Sequence, residues 1–226
     1  MADFTFHAVG FDLDGTLLDT HQDLGAAVNH ALKLGGFDPV PVDSSKDLIG
    51  GGAKIMLARA VERQGGMPKD EFHALYKQML GYYAEHNAVH TRPYPGAETM
   101  LDNLAQRGVR MAVVTNKFEG FARDILTQLD LIDRFETVIG GDTLGKGRAK
   151  PAPDPVLEAQ DRCGAKRQGG RFAFVGDSSY DVKAARAANV PVVVAGYGYC
   201  DQPPHEMGGD VVIDSLNGLI SALEGL

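Results

Sequence analysis

Phe6-His-Ala-Val-Gly-Phe-Asp-Leu-Asp-Gly-Thr-Leu-Leu18 opens with an apolar run that breaks at Gly15. Residues 6–11 read as a buried strand, and the run ends by presenting two carboxylates, Asp12 and Asp14, where strand gives way to loop. In open α/β sheets, sites form outside the carboxyl ends of the strands. One aspartate of such a pair can attack as a nucleophile while the other handles protons, a division that differing environments tune. A lone Asp-x-Asp also fits a plain acidic turn, so the rest of the chain must decide.

From residue 91 onward, short β-branched runs alternate with helical spacing. Strands are predicted over 109–115, 137–140, 171–175 and 191–195, with an edge strand over 210–213. Helices are predicted over 97–107, 120–129, 154–163 and 179–188. Such alternation implies a parallel sheet covered by helices on both faces. Residues 19–90 break the pattern: Leu24, Val28, Ala31 and Leu32 form one helical stripe, and Phe72, Leu75, Tyr76, Met79, Leu80 and Tyr83 form another after Pro68. These side chains read as core. The predicted class is α/β, with a Rossmann-like, doubly wound parallel-sheet core (1–18 and 91–226) and an inserted helical-bundle cap (19–90). Thr91-Arg-Pro-Tyr-Pro-Gly96, stiffened by its prolines, forms the return.

Composition narrows the partners. With 226 residues and 44% hydrophobic content, the chain can bury a full core. A net charge of −8 argues against nucleic acid or an anionic membrane as partner, and no stretch approaches the length of a membrane helix. The opening residues lead straight toward a strand, without the pattern of a cleaved signal, and Cys163 and Cys200 form no metal or redox motif. A cytoplasmic protein, monomeric or homodimeric, is expected.

Four polar clusters follow predicted strands or precede a helix at the same sheet edge: Asp12-Leu-Asp-Gly-Thr16, Val114-Thr-Asn-Lys117, Lys150-Pro-Ala-Pro-Asp154 and Gly176-Asp-Ser-Ser-Tyr-Asp181. Parallel strands bring their C-terminal ends to one edge, so these groups can converge. Several carboxylates in one place need a cation among them, and an all-oxygen donor set favours Mg²⁺. Lys150 and Thr115, with backbone amides near Gly15 and Asn116, could hold the oxygens of a phosphate; Thr16 joins these candidate substrate contacts. Electrostatic stabilisation of this kind is what phosphoryl transfer chiefly requires.

These clusters resemble, in order, the four motifs of the haloacid dehalogenase-type hydrolases, and the resemblance spans essentially the whole chain. It implies that Asp12 is the nucleophile and Asp14 the acid/base, with Thr115 and Lys150 orienting phosphate. It further implies Mg²⁺ ligation by Asp12, Asp177 and the backbone carbonyl of Asp14, with Asp181 a ligand or a supporting partner. An acid at position 14 speaks against carbon–halogen and phosphonate cleavage. Ile49-Gly-Gly-Gly52, Arg59-Ala60, Val114-Thr-Asn-Lys117, Tyr94-Pro-Gly96 and Gly196-Tyr-Gly198 look like the phosphoglycolate phosphatase branch. On that reading the substrate is a small phosphorylated metabolite, 2-phosphoglycolate, its carboxylate met by amides at Gly51 and Gly52 or by Lys54 or Arg59. The alternatives are a phosphatase of another metabolite or sugar phosphate, a sugar phosphomutase, or a phosphometabolite-binding module without turnover.

Three other features carry simpler readings. Gly140-Gly-Asp-Thr-Leu-Gly-Lys146 approaches a P-loop but continues with Gly147 and prolines, so a mobile glycine loop is expected. His86 and His90 read as a solvated helix end rather than a zinc pair. His21 reads as a surface residue at the start of the cap.

Overall fold

β1 (Phe6–Phe11) lies at the centre of a six-stranded parallel sheet in the computed structural model, which describes residues 4–49, 51–165 and 170–226. After β1 come β2 (Leu18–Asp19), α1 (His21–Leu34), α2 (Ala53–Glu62), α3 (Lys69–Glu85) and β3 (Arg92–Pro93). The second half runs α4 (Ala97–Gln106), β4 (Arg110–Val114), α5 (Glu119–Gln128), β5 (Thr137–Ile139), α6 (Asp154–Arg162), β6 (Arg171–Gly176), α7 (Ser179–Ala187), β7 (Val192–Ala195), β8 (Val211–Ile213) and α8 (Leu219–Glu224). Each predicted strand and helix of the α/β region is present, with ends shifted by a residue or so. Helix α8 was not anticipated.

The sheet order is β5-β4-β1-β6-β7-β8. Winding outward from β1 in both directions makes this a doubly wound sheet, and the reversal point falls between β1 and its neighbours β4 and β6. The register aligns Gly10 with Ala112 and Phe174, and Phe11 with Val113 and Val175. Asp12, Thr115 and Asp177 therefore emerge at one edge, on the three strands that flank the reversal. Ala8, Ala112, Val114, Phe172, Phe174, Val192 and Val194 pack with α6 and α7 on one face. Residues of opposite parity, including Val9, Phe11, Met111, Val113, Val175 and Val193, are equally buried. Burial on both faces explains why these strands read as continuous apolar runs. Gly10 has a packing reason: a Cβ there would lie 2.8 Å from the Phe172 ring.

By packing, the chain divides into two units, Met1–Leu18 with Pro93–Leu226 and, separately, Asp19–Arg92. β2 and β3, at the two crossings, pair as a two-stranded ribbon. In the helical unit, Leu24, Val28, Ala31 and Leu32 of α1 and Leu75, Tyr76, Met79 and Tyr83 of α3 are buried. Pro68 precedes α3 in an extended conformation, and Asp70 and Glu71 sit in its first turn, where the helix dipole favours acids. The buried carboxylate of Asp23 accepts hydrogen bonds from the backbone N–H groups of His90 and Thr91 and from the Thr91 hydroxyl, at 2.7–3.0 Å. That network ties the end of the unit back to α1.

Two histidine readings need correction. His21 is buried, with Nδ1 2.5 Å from Asp19 Oδ1, because α1 begins under the segment carrying Ser45, whose hydroxyl bonds the His21 carbonyl. His86 is not simply solvated: its ring stacks on Tyr82 at 4.2 Å, and Tyr82 stacks on His30 at 4.4 Å. No helix among the described residues is long and apolar enough to cross a membrane.

Candidate active site

The turn after β1 is closed by hydrogen bonds from the N–H groups of Leu17 and Leu18 to the Leu13 carbonyl and from Gly15 N–H to the Leu18 carbonyl. Gly15 has φ +84°, and a Cβ there would fall 2.1 Å from Asp177 Oδ2, so conformation and crowding both demand glycine. The turn sets Asp12 and Asp14 apart in environment. Asp12 is buried; its Oδ1 accepts from the Leu13 N–H at 2.7 Å and from Lys150 Nζ at 2.9 Å. Its Oδ2 accepts no hydrogen bond from the described residues. Burial pushes the Asp12 carboxyl up to about 7; Lys150 opposes that shift, and Asp181 and Asp14 reinforce it. Asp14 instead pairs through Oδ1 with Lys117 Nζ at 3.1 Å.

After β4, Thr115 is buried and its Oγ1 accepts from the Lys117 N–H at 3.2 Å. Asn116 Nδ2 donates to the Lys150 carbonyl at 3.0 Å, while its Oδ1 is buried without a partner among the described residues. The glycine stretch expected to be mobile is tightly engaged at its start. Gly141 N–H donates to the Lys117 carbonyl at 2.8 Å, Asp142 accepts from Glu119 N–H at 2.8 Å, and a Cβ on Gly140 would lie 2.2 Å from Glu119 N. These glycines allow two backbone turns to touch. Only Gly145 and Gly147, both at positive φ, have open space around them.

Lys150 lies between β5 and α6, next to a cis Lys150–Pro151 bond, with its ammonium 5.5 Å from the Phe174 ring centre. It donates to Asp181 Oδ1 at 2.6 Å and to Asp12 Oδ1 at 2.9 Å. Burial works against its charge, but Asp12 and Asp181 outweigh that and raise its pKa. After β6, Asp177 accepts from Thr16 Oγ1 at 3.2 Å and from Tyr199 N–H at 2.7 Å. Burial, reinforced by Asp181 and Asp12, raises the Asp177 carboxyl well above the usual range. Asp181 is fully buried; Oδ2 accepts from the N–H and hydroxyl of Ser178, at the start of α7, and Oδ1 serves Lys150. A Cβ on Gly176 would strike its carboxyl.

Asp12, Asp177 and Asp181 thus offer carboxylate oxygens within 4.8 Å of one another. Lys150 neutralises part of this charge, and no ion pair among the described residues reaches Asp177. A buried cluster with excess carboxylate and all-oxygen donors suits a hard divalent cation.

Of the other sequence candidates, Thr16 joins the group through Asp177. Gly51, Gly52, Lys54 and Arg59 belong to the helical unit. Gly51 and Gly52 have φ +76° and +96° at the start of α2, Lys54 is exposed in its first turn, and Gly50 lies outside the described residues. Arg59 is occupied locally, donating to the Leu48 and Ile49 carbonyls at 3.2 and 3.5 Å.

Two contributors were given no role from sequence. One is Lys117. The other is the loop after β7, where Tyr197 donates to the Thr16 carbonyl at 2.7 Å, Tyr199 N–H holds Asp177, and Asp201 accepts from Ser179 N–H and Oγ at 2.7 Å. A Cβ on Gly198 would lie 2.4 Å from both Asp177 Cβ and the Gly15 carbonyl. The available signal was Gly196-Tyr-Gly198 directly after a buried strand at the same edge.

Comparison with known proteins agrees with this geometry. The model of the haloacid dehalogenase-like hydrolase family matches residues 9–195. A phosphoglycolate phosphatase of Agrobacterium fabrum is 39% identical over 214 residues, covering 94% of this chain and 90% of that one. An N-acetylmuramic acid 6-phosphate phosphatase of Pseudomonas aeruginosa is 35% identical, covering 96% and 94%. A Haemophilus somnus crystal structure, described as a predicted phosphoglycolate phosphatase, superposes with a TM-score of 0.86 at 31% identity, covering 96% and 97%.

Proposed function

The chain belongs to the haloacid dehalogenase-like hydrolases, and from that premise we propose that it is a Mg²⁺-dependent phosphate monoester hydrolase acting on 2-phosphoglycolate. The observation that carries the reading is the unequal treatment of Asp12. One of its oxygens is fixed by Leu13 N–H and Lys150, and the other accepts no hydrogen bond from the described residues. A carboxylate so oriented is a nucleophile in waiting. Asp12 Oδ2 attacks phosphorus, the ester P–O bond breaks, and Asp14 gives a proton to the departing oxygen. Asp14 then takes a proton from water as that water opens the aspartyl-phosphate and releases inorganic phosphate. Thr115 and the Asn116 amide hold the phosphoryl oxygens, with Lys150 fixing the nucleophile; the Gly15 N–H, expected from the sequence to share this task, is spent on the Leu18 carbonyl.

Asp12, Asp177 and the Asp14 carbonyl would hold Mg²⁺, which supplies charge neutralisation for the phosphoryl oxygens. Asp181, whose oxygens serve Lys150 and Ser178, acts in this reading as the partner that orients Lys150. The pH dependence of stability tests the arrangement. Asp12 is pushed from an ordinary 3.8 to about 7, and Asp177 moves the same way. The folded state keeps protons that the unfolded chain has released, so this contribution is full below about pH 4 and is lost as pH rises through about 7. Mg²⁺ competes with those protons. The rise in melting temperature on adding Mg²⁺ to EDTA-treated protein is therefore expected to be larger at pH 8 than at pH 6. An equal or smaller rise at pH 8 would contradict the proposed ligand set.

The substrate is tested by phosphate release from 2-phosphoglycolate, N-acetylmuramic acid 6-phosphate and glucose 6-phosphate. The expected result is a kcat/KM at least about tenfold higher for 2-phosphoglycolate, equivalent to about 1.4 kcal/mol of transition-state discrimination. The Pseudomonas relative makes a sugar phosphate the second reading, and a higher kcat/KM for either sugar ester would establish it instead. Isomerised sugar phosphate without phosphate release would indicate a mutase, and binding without turnover a non-catalytic module.

A further inference from the structure

Lys117 is a buried ammonium at the site that the proposed chemistry leaves unused. Its backbone is fixed on both sides: the N–H donates to Thr115 Oγ1 and the carbonyl accepts from Gly141 N–H. Its side chain ends 3.1 Å from Asp14 Oδ1. Lys150, the other buried ammonium among the described residues of this unit, is held by Asp12 and Asp181.

We infer that Lys117 is a specificity-determining residue that binds the carboxylate of the substrate's leaving group. The inference rests on the proposed phosphoglycolate reading and moves the carboxylate contact from the helical unit to the α/β unit. Asp14 must touch the bridging ester oxygen to protonate it. The Lys117 ammonium, in contact with Asp14, is then one short step from that oxygen. In 2-phosphoglycolate a single methylene separates the bridging oxygen from the carboxylate, so the two lie on the order of 3 Å apart. An ammonium carries three donors on a compact head and can serve the Asp14 carboxylate and a second carboxylate together. Arg59, the cation first considered for this contact, already donates to two backbone carbonyls.

The test compares 2-phosphoglycolate with 2-hydroxyethyl phosphate, an ester of similar size whose leaving group is uncharged. Lys117→Met should slow both, because Asp14 loses its partner, so the diagnostic quantity is the ratio of the two kcat/KM values. That ratio is expected to fall by about tenfold to a hundredfold, the loss typical of a charge-assisted contact. Lys117→Arg, which keeps the positive charge, should retain a ratio above that of the methionine variant. If Lys117→Met does not fold, Lys117→Gln carries the same measurement with a polar side chain of similar reach. Equal losses on both esters would overturn the assignment and leave Lys117 as a positioning residue for Asp14. A wild-type ratio near one would overturn the phosphoglycolate reading as well, so the two failures are distinguishable.

Discussion

Asp12→Asn is expected to lower kcat by at least about 10⁴-fold, because an amide cannot take a phosphoryl group and the covalent step is lost. The substitution is nearly isosteric, so the turn after β1 and the Leu13 N–H contact can persist. It also removes a charge that burial disfavours enough to push its pKa to about 7. Metal-free Asp12→Asn protein should therefore be at least as stable at pH 8 as the wild type, which separates lost chemistry from lost folding. Phosphate release supplies the rate and thermal unfolding in EDTA the stability. Intact-mass analysis after acid quenching should find a phosphoryl adduct on the wild type and none on the variant. Hydrolysis at the wild-type rate by Asp12→Asn would refute the assignment of the nucleophile.

The sheet and the ends of its strands were legible because strands buried on both faces leave short, uninterrupted β-branched runs. Asp12, Thr115 and Asp177 could be brought together from the sequence because parallel strands share one carboxyl edge. What could not be read was how far a side chain is withdrawn from water. In the sequence Lys117 only completes a polar cluster at a strand end, and its burial becomes visible when Gly140 and Gly141 let the turn after β5 press against the backbone of residues 116–119. The same glycines read as mobile because glycine permits both free loops and close backbone contact, and only tertiary packing tells them apart. The sequence offers Asp181 as a metal ligand or a supporting partner; in the structure it caps α7 through Ser178, and its second oxygen meets Lys150, a residue 31 positions away. His21 failed for the opposite reason, since a polar residue beside a carboxylate can be buried at little cost once paired.

Lys150→Met should cost both activity and stability, and the two losses should answer differently to pH and Mg²⁺. The ammonium fixes Asp12 Oδ1 and, in the proposed reaction, adds positive charge beside the phosphoryl oxygens, so kcat is expected to fall by about 10³-fold. Its removal also leaves Asp12, Asp177 and Asp181 facing one another without their buried cation. Breaking a buried ion pair from one side typically costs about 3–5 kcal/mol. Here part of that cost can be relieved, because the Asp12 carboxyl can take up a proton. Lys150 is what restrains the Asp12 pKa, so in its absence that pKa rises further above 7. The stability penalty of Lys150→Met should then be small at pH 6 and approach its full size at pH 8, as urea unfolding in EDTA would measure. A divalent ion offers the missing positive charge without restoring the fixed Asp12 oxygen. Mg²⁺ at pH 8 is accordingly expected to stabilise Lys150→Met more than it stabilises the wild type, while leaving kcat low. A penalty independent of pH, or stability unchanged from the wild type, would mean that the carboxylates are not the partners that keep Lys150 charged and in place.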